Sequence, residues 1–209
     1  MVRNVNMRSD NEHSSARFDV AGTGFAVLDR IYSDGVLADE ALGGTCANVL
    51  VSLAMLRRHV APVLRLGADA EGERLVDEFS QAGALVEFIF RDAETRSTVL
   101  TEIVDRSTSE HSFSFNCPET DQDHPRDQPI GSNEHERAKL AFADCTVFYA
   151  DRLSSSILDG MQLAASGGAV VIFEPSEIDD LTLFEEAMEW VTILKASSDR
   201  LDLGLGVAE

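Results

Sequence analysis

A pair of adjacent glycines at the start of a helix is the feature of this chain best suited to contact a ligand. Gly43 and Gly44 precede an apolar helical segment that runs from Val49 to Leu56. Glycines let a ligand approach the backbone closely, and a helix start presents free N–H groups and the positive end of the helix dipole. Asn48 adds a side chain that both donates and accepts hydrogen bonds. These residues suit a hydroxyl-rich or anionic ligand, and a tight strand-to-helix turn without a ligand explains them equally well.

A carboxylate lies close upstream of this turn. Asp29 follows the apolar residues 25–28, which come after an apolar segment, 18–24, that ends in glycines. Such a carboxylate has to be solvated, paired or hydrogen-bonded, because burying it unpaired is costly. Sugar hydroxyls would satisfy it, and so would an ion pair with Arg30 or a turn-capping role. A dinucleotide-binding motif matches poorly, because the third glycine of G-x-G-x-x-G would fall on Val27.

Two other polar clusters are candidates for a site. Asp121, Asp123 and His124 offer ligands for a metal, but they lie in a proline-rich loop without a second group of ligands, which favours a solvated acidic loop. Asp151 and Arg152 follow an apolar strand, where open α/β sheets place ligand contacts. An ion pair at a helix start explains that pair equally well.

Taken in chain order, these residues resemble the motifs of the PfkB, or ribokinase-like, family of carbohydrate kinases. The resemblance covers roughly residues 18–200. Its motifs are a glycine-ended strand with a following Asp (Gly22, Gly24, Asp29), the Gly-Gly-x-x-x-Asn turn (Gly43, Gly44, Asn48), a G-x-D-x-x-G segment from Gly67 to Gly72, and two later segments, from Val170 to Ser176 and from Ile193 to Ser197. The order of the motifs, more than any one of them, makes the resemblance specific.

The resemblance implies a fold and a set of roles. The fold is an α/β, ribokinase-like three-layer sandwich with a mostly parallel sheet and a small β lid. Members of the family transfer a phosphoryl group from ATP, with Mg²⁺, to a hydroxyl of a sugar or nucleoside. Asp29, Gly43, Gly44 and Asn48 would bind the substrate, and Lys195 would contact the cofactor. No catalytic base and no metal ligand are assigned within this chain.

The resemblance also indicates boundaries. Residues 18–209 would form the domain, with lid segments near 31–41 and 86–115, and residues 1–17 a flexible tail. The family's Gly-Ala-Gly-Asp motif, whose Asp accepts the hydroxyl proton, does not occur in these 209 residues. We therefore expect a C-terminally incomplete domain that is inactive as a kinase alone. A non-catalytic sugar-binding or dimerisation module derived from the family is the alternative.

The composition indicates a globular protein that binds neither nucleic acid nor anionic membranes. With 37 acidic and 17 basic residues, its net charge is −20, so a phosphate backbone would repel it. No apolar run approaches the roughly 18 residues that span a bilayer, and the polar start has no signal-peptide core. Cys46, Cys117 and Cys145 lack CxxC spacing, which favours reduced thiols in a cytoplasmic protein.

Apolar periodicity predicts strands that alternate with helices, which implies a parallel sheet covered on both faces. The predicted strands cover residues 18–24, 62–66, 86–90, 97–104, 111–115, 145–150, 169–173 and 191–195. The predicted helices cover residues 46–58, 71–82, 134–143, 154–166 and 180–189. Residues 31–41 are expected as a polar excursion and residues 116–133 as a loop. The last strand is apolar and little chain follows it, so we expect an uncovered edge and association into homo-oligomers.

Overall fold

The computed structural model describes residues 17–105, 108, 110–176 and 178–196. Its strands are β1 (Phe18–Thr23), β2 (Val27–Ser33), β3 (Val36–Gly43), β4 (Val60–Pro62), β5 (Leu64–Gly67), β6 (Ile89–Asp92), β7 (Val99–Asp105), β8 (Glu110–Ser114), β9 (Cys145–Ala150), β10 (Val170–Phe173) and β11 (Ile193–Leu194). Its helices are α1 (Thr45–Met55), α2 (Ala70–Ala82), α3 (Ser132–Ala143), α4 (Ser155–Ser166) and α5 (Leu181–Met188), and a single 3₁₀ turn covers Val86–Phe88. None of the described helices is long and apolar enough to cross a membrane. Apart from residue 17, the predicted tail lies outside the described residues.

Five parallel strands form the main sheet, in the order β11-β10-β9-β1-β4. β1 lies between β9 and β4, with Phe18 opposite Cys145 and Val20 opposite Val60. Parallel neighbours need long crossover connections, and helices supply most of them here. The mostly parallel sheet predicted from the sequence is confirmed.

Helices cover both faces of this sheet. The core on one side joins α1 and α2 through Leu50 and Phe79, and the core on the other joins α3, α4 and α5. Neighbouring residues of a strand serve opposite sides, as Phe148 and Tyr149 of β9 do. Burying one such large side chain contributes roughly 1.5–3 kcal/mol. The structure is the predicted three-layer α/β sandwich.

A second sheet of four strands, in the order β3-β2-β7-β8, forms the lid. Residues 31–41, expected as a polar excursion, lie mostly within β2 and β3, which pair antiparallel. Most of their side chains are polar or exposed, although Tyr32 is buried, and cross-strand pairing forms strands here where no apolar pattern indicates them. Within residues 86–115, β7 and β8 belong to the lid, whereas β6 pairs with β5 in a separate sheet.

The segment from Gly67 to Gly72 joins the core to the lid. The Asp69 carboxylate accepts the backbone N–H of Gly72 at 2.9 Å, which caps α2, and the backbone N–H of Ser97 at 2.8 Å. Burial by itself would raise the pKa of Asp69, but hydrogen bonds from Ser97 and Gly72 outweigh burial and lower it. Because Ser97 leads into β7, this motif fixes the entry of a lid strand.

The last described strand lies at the edge of the main sheet. β11 pairs with β10, and its residues Ile193 and Leu194 are 48% and 40% exposed. Such an apolar edge is a template for pairing with another chain. Association into homo-oligomers stays a prediction.

Candidate functional site

The carboxylate of Asp151 joins two loops at the carboxyl edge of the main sheet. Asp151 directly follows β9 and is fully buried. Its Oδ1 accepts the backbone N–H of Phe25, and its Oδ2 accepts that of Cys46, each at 2.8 Å. Cys46 lies in the first turn of α1, where free N–H groups favour a carboxylate. Burial raises the pKa of Asp151 to about 6, although the two N–H donors act in the opposite direction.

The arrangement shows how Asp151 contacts a helix start. The carboxylate binds the start of a helix, as one interpretation required, but the helix is α1 and not α4, which follows it in the chain. Ser154 caps α4 instead, with its hydroxyl accepting the backbone N–H of Ile157 at 3.3 Å. Asp151 therefore acts as a bridge between distant segments, and the backbone N–H groups occupy both of its oxygens.

Two glycines allow the loops to lie this close. Gly24 has a φ of +144°, and a Cβ at this position would lie 1.9 Å from Oδ1 of Asp151. Gly44 has a φ of +92°, and a Cβ there would lie 2.5 Å from the carbonyl oxygen of Phe25. Side chains rarely adopt such φ values, so both positions require glycine.

Asp29 lies against the di-glycine turn. It is paired with Ala41 of β3 on one side and Leu100 of β7 on the other, and a Cβ at Gly43 would lie 1.8 Å from its Oδ2. Burial first, and then the negative charge of Glu102, raises the pKa of Asp29 to about 6. Its Oδ1 is buried and has no hydrogen-bond partner among the described residues. Leaving a buried acceptor unpaired is costly, and a ligand hydroxyl would supply the missing donor.

Arg30 does not pair with Asp29. Its Nε donates to Glu40 at 2.9 Å, and its Nη2 donates to Glu71 of α2 at 3.0 Å. Successive side chains of a strand point to opposite faces, so Arg30 faces α2 while Asp29 faces the glycine turn. The ion-pair alternative for Asp29 is therefore wrong.

Asn48 lies one helical turn beyond the glycines. Its backbone N–H donates to the carbonyl of Gly44 at 2.9 Å, and its side chain is exposed. That side chain forms no hydrogen bond within the part of the chain that the structure describes. The structure thus brings Asp29, Gly43 and Gly44 into contact and leaves the Asn48 amide available at the same helix start.

Lys195 lies at the other end of the sheet. It directly follows β11, and its Nζ donates to Oε1 of Glu174 at 2.7 Å. The hydroxyl of Tyr149 donates to Oε2 of the same carboxylate at 3.0 Å. Burial, followed by the hydrogen bond with Glu174, raises the pKa of Tyr149. β10 and β9 separate Lys195, which follows β11, from the loop after β1 that leads to Asp29, so Lys195 belongs to a second part of the sheet edge.

Residues 39–208 match the family described as pfkB family carbohydrate kinase. This match covers most of the chain. The chain belongs to this family. A fructokinase of Vibrio alginolyticus is 29% identical over 162 residues, which are 76% of this chain and 51% of that relative. The chain thus spans about half the length of the curated relative that it matches.

Solved structures share the fold. A fructokinase with bound ATP from Xylella fastidiosa has a TM-score of 0.69 at 23% identity, and the similarity covers 88% of this chain and 63% of that one. A 2-dehydro-3-deoxygluconokinase from Thermotoga maritima has a TM-score of 0.76 at 17% identity, covering 92% and 63%. At these identities the likeness establishes the α/β fold of the family.

In this family member, the acidic loop contacts the lid. His124 lies 3.3 Å from the hydroxyl of Thr101 in β7, which ties the loop to the lid. Among the described residues, no group of three or more His, Cys, Asp or Glu side chains is arranged to hold a metal ion.

Several polar contacts of the sheet edge were not predicted from the sequence. Tyr149 lies within an apolar strand, and nothing in the local pattern indicates its bond to Glu174. Arg152 packs over the ring of Phe25, with its guanidinium carbon 4.4 Å from the ring centroid. Of these residues, only Arg152 was a candidate from the sequence, because it directly follows an apolar strand.

Proposed function

We propose that this chain forms the sugar-binding part of a cytoplasmic, ATP-dependent sugar kinase, which transfers a phosphoryl group to a sugar hydroxyl. Membership of the pfkB family and the fructokinase relative support this reaction class. Catalysis of phosphoryl transfer depends mainly on positioning the reactants and on neutralising charge. A nucleoside is the alternative substrate class.

The observation that carries this proposal is the buried Oδ1 of Asp29, which has no hydrogen-bond partner among the described residues. A sugar hydroxyl donating to this oxygen would satisfy it, and the close approach of Gly43 fixes where the carboxylate lies. The Asn48 amide, exposed one turn further along α1, would contact a second hydroxyl. Together these groups form a polar cradle for a polyol at the base of the lid.

The residues around the end of β11 are better suited to contact ATP than to bind Mg²⁺. We propose that Lys195, whose side chain is 65% exposed, contacts a phosphate of ATP. Glu174, the acidic group beside it, is already bonded to Lys195 and Tyr149, so we assign no residue to Mg²⁺. Because the Gly-Ala-Gly-Asp sequence does not occur in these 209 residues, we propose that the polypeptide assayed alone binds sugar without turnover.

Calorimetric titration of the 209-residue chain with D-fructose, D-ribose and adenosine tests the proposal. We expect a sugar to bind, and we expect Asp29→Ala and Asn48→Ala to weaken it by roughly 5- to 100-fold, the effect of losing one buried hydrogen bond. Asp39→Ala on β3 and Ser52→Ala on α1 are matched controls, because both side chains are exposed. β3 pairs with the strand that carries Asp29, and α1 carries Asn48. Unchanged affinity in both site variants would contradict the proposal.

A further inference from the structure

A cleft of about 550 Å³ lies where the lid meets the carboxyl edge of the main sheet. Phe25 lines it from the loop before β2, Phe115 from the segment after β8, and Arg152 and Ser176 from the chain beyond β9 and β10. The carbonyl oxygen of Phe25 also lies against Gly44 of the di-glycine turn. The cleft therefore adjoins the proposed sugar site.

Aromatic rings hold two arginine side chains in this cleft. The guanidinium carbon of Arg152 lies 4.4 Å from the centroid of the Phe25 ring, and that of Arg126 lies 3.9 Å from the centroid of the Phe115 ring. A guanidinium stacked on a ring is attracted to the ring face, and its planar set of N–H donors stays available at the edge. Both arginines are thus oriented before any ligand binds.

The two arginines differ in how far their charge is compensated. Nη1 of Arg152 donates to the carbonyl of Asp151 at 3.1 Å and to the hydroxyl of Ser176, and its Nε lies 3.5 Å from Asp127. Arg126 is exposed and forms no ion pair with the described residues. The chain has 37 acidic and only 17 basic residues, so a positive charge in this cleft without an acidic partner among the described residues is unusual for its surface.

We infer that the sugar bound by this chain carries an anionic group, a carboxylate or a phosphate, which Arg126 and Arg152 hold in the cleft. The inference rests on the proposed sugar-binding function and specifies its substrate class. Guanidinium groups bind oxyanions through parallel N–H donors, and these charge-assisted bonds are stronger than neutral ones. Asp127 and Asp179 also line the cleft, so it suits one anionic group better than a polyanion.

Calorimetric titration of the 209-residue chain with D-fructose, D-gluconate, D-fructose 6-phosphate and ATP tests this inference. We expect at least one anionic sugar to bind more tightly than fructose. Arg126→Gln removes the charge but keeps the stem over Phe115, so it should weaken that anionic sugar about tenfold and leave fructose unchanged. Arg126→Lys, which keeps the charge, should recover part of the affinity.

Arg137→Gln is the matched control. The Arg137 guanidinium lies over the ring of Phe90, 4.3 Å from its centroid, and does not line the cleft. Like Arg126→Gln, this substitution removes one positive charge from an arginine that lies over a phenylalanine ring. We expect it to bind every ligand as the unchanged chain does.

Two results would overturn the inference and leave the proposed function intact. In the first, fructose binds as tightly as both anionic sugars, and Arg126→Gln changes none of the three affinities. In the second, Arg126→Gln weakens only ATP, which would assign the cleft to a phosphate of the nucleotide. Failure of every sugar to bind the unchanged chain would instead contradict the proposed function, and with it the inference.

Discussion

Two carboxylates, one fully buried and one partly buried, contact the same turn but differ in their hydrogen bonds. Asp29 lies against Gly43, and Asp151 binds the backbone N–H of Cys46, three residues further along. Burial is the main cause that raises the pKa of each to about 6. Asp151 accepts two backbone N–H groups, whereas Oδ1 of Asp29 accepts none among the described residues. Burial alone therefore does not distinguish a carboxylate that is hydrogen-bonded within the protein from one that leaves an oxygen without a partner among the described residues.

The difference follows from the elements that surround each group. Asp151 faces the first turn of α1, where N–H groups have no intrahelical acceptor and remain available to a side chain. Asp29 lies on β2, between two paired strands whose N–H groups are largely used by the sheet. A strand interior therefore has few spare donors, and a ligand hydroxyl of the kind proposed above would supply one from outside the lid.

The largest expected effect is on stability at Asp151. Asp151→Ala would leave the N–H groups of Phe25 and Cys46 buried without an acceptor, at about 1–3 kcal/mol each. We expect its free energy of unfolding to fall by roughly 3 kcal/mol. Asp29→Ala breaks no side-chain hydrogen bond with the described residues, and its loss should stay under about 1 kcal/mol. Urea unfolding followed by circular dichroism measures both, and equal losses would abolish the distinction between the two carboxylates.

A smaller effect is expected on the pH dependence of stability. A carboxyl group whose pKa is raised in the folded state binds its proton more tightly there. Its contribution to stability is fully present below its unfolded pKa near 3.8 and is lost as the pH rises through about 6. Asp29→Asn removes this titration, so the variant should gain stability relative to the unchanged chain between these pH values.

Unfolding in urea at a series of pH values from 3.5 to 7 checks this sign, roughly spanning the titration. Asp39→Asn is the control, because it changes an exposed carboxylate of the same lid sheet. A constant stability difference between Asp29→Asn and the unchanged chain across this range would show that Asp29 titrates alike in both states.

The parts of the fold that were predicted correctly depend on local pattern. The segments 145–150 and 169–173 are apolar runs between helices, and they became the buried strands β9 and β10. The segment 31–41 has no such run, because Asp34, Gly35, Asp39 and Glu40 interrupt it, and its strands are stabilised by pairing with each other. Such lid strands form because they pair with other strands, and the local sequence does not indicate which segments will pair.

The same distinction applies to the candidate site. The contact of Asp29 with the glycine turn joins residues that are close in the chain and that belong to consecutive motifs. The contacts of Asp151 with Phe25 and Cys46 span more than 100 residues and depend on β9 lying beside β1. Strand order is long-range information, so the bridging role of Asp151 could not be read from its neighbours in sequence.

Glu102 is the group through which the lid acts on Asp29. On β7, Glu102 lies two residues beyond Leu100, which is opposite Asp29, so both carboxylates are on the same face of the lid sheet. The ring Nδ1 of His111 on β8 lies 2.5 Å from Oε1 of Glu102. This pairing holds the negative charge of Glu102 on the face that Asp29 shares.

The smallest expected effect is therefore a change in the pKa of Asp29 when that charge is removed. Glu102→Gln should lower the pKa of Asp29 from about 6 towards 3.8, and most of the shift should remain because burial is its larger cause. A ¹³C NMR titration of the Asp29 carboxyl carbon measures the change. Glu87→Gln removes the same charge from an exposed position outside the lid and should leave the midpoint unchanged. An unchanged midpoint in Glu102→Gln as well would mean that burial alone sets the pKa of Asp29, with no electrostatic contribution from β7.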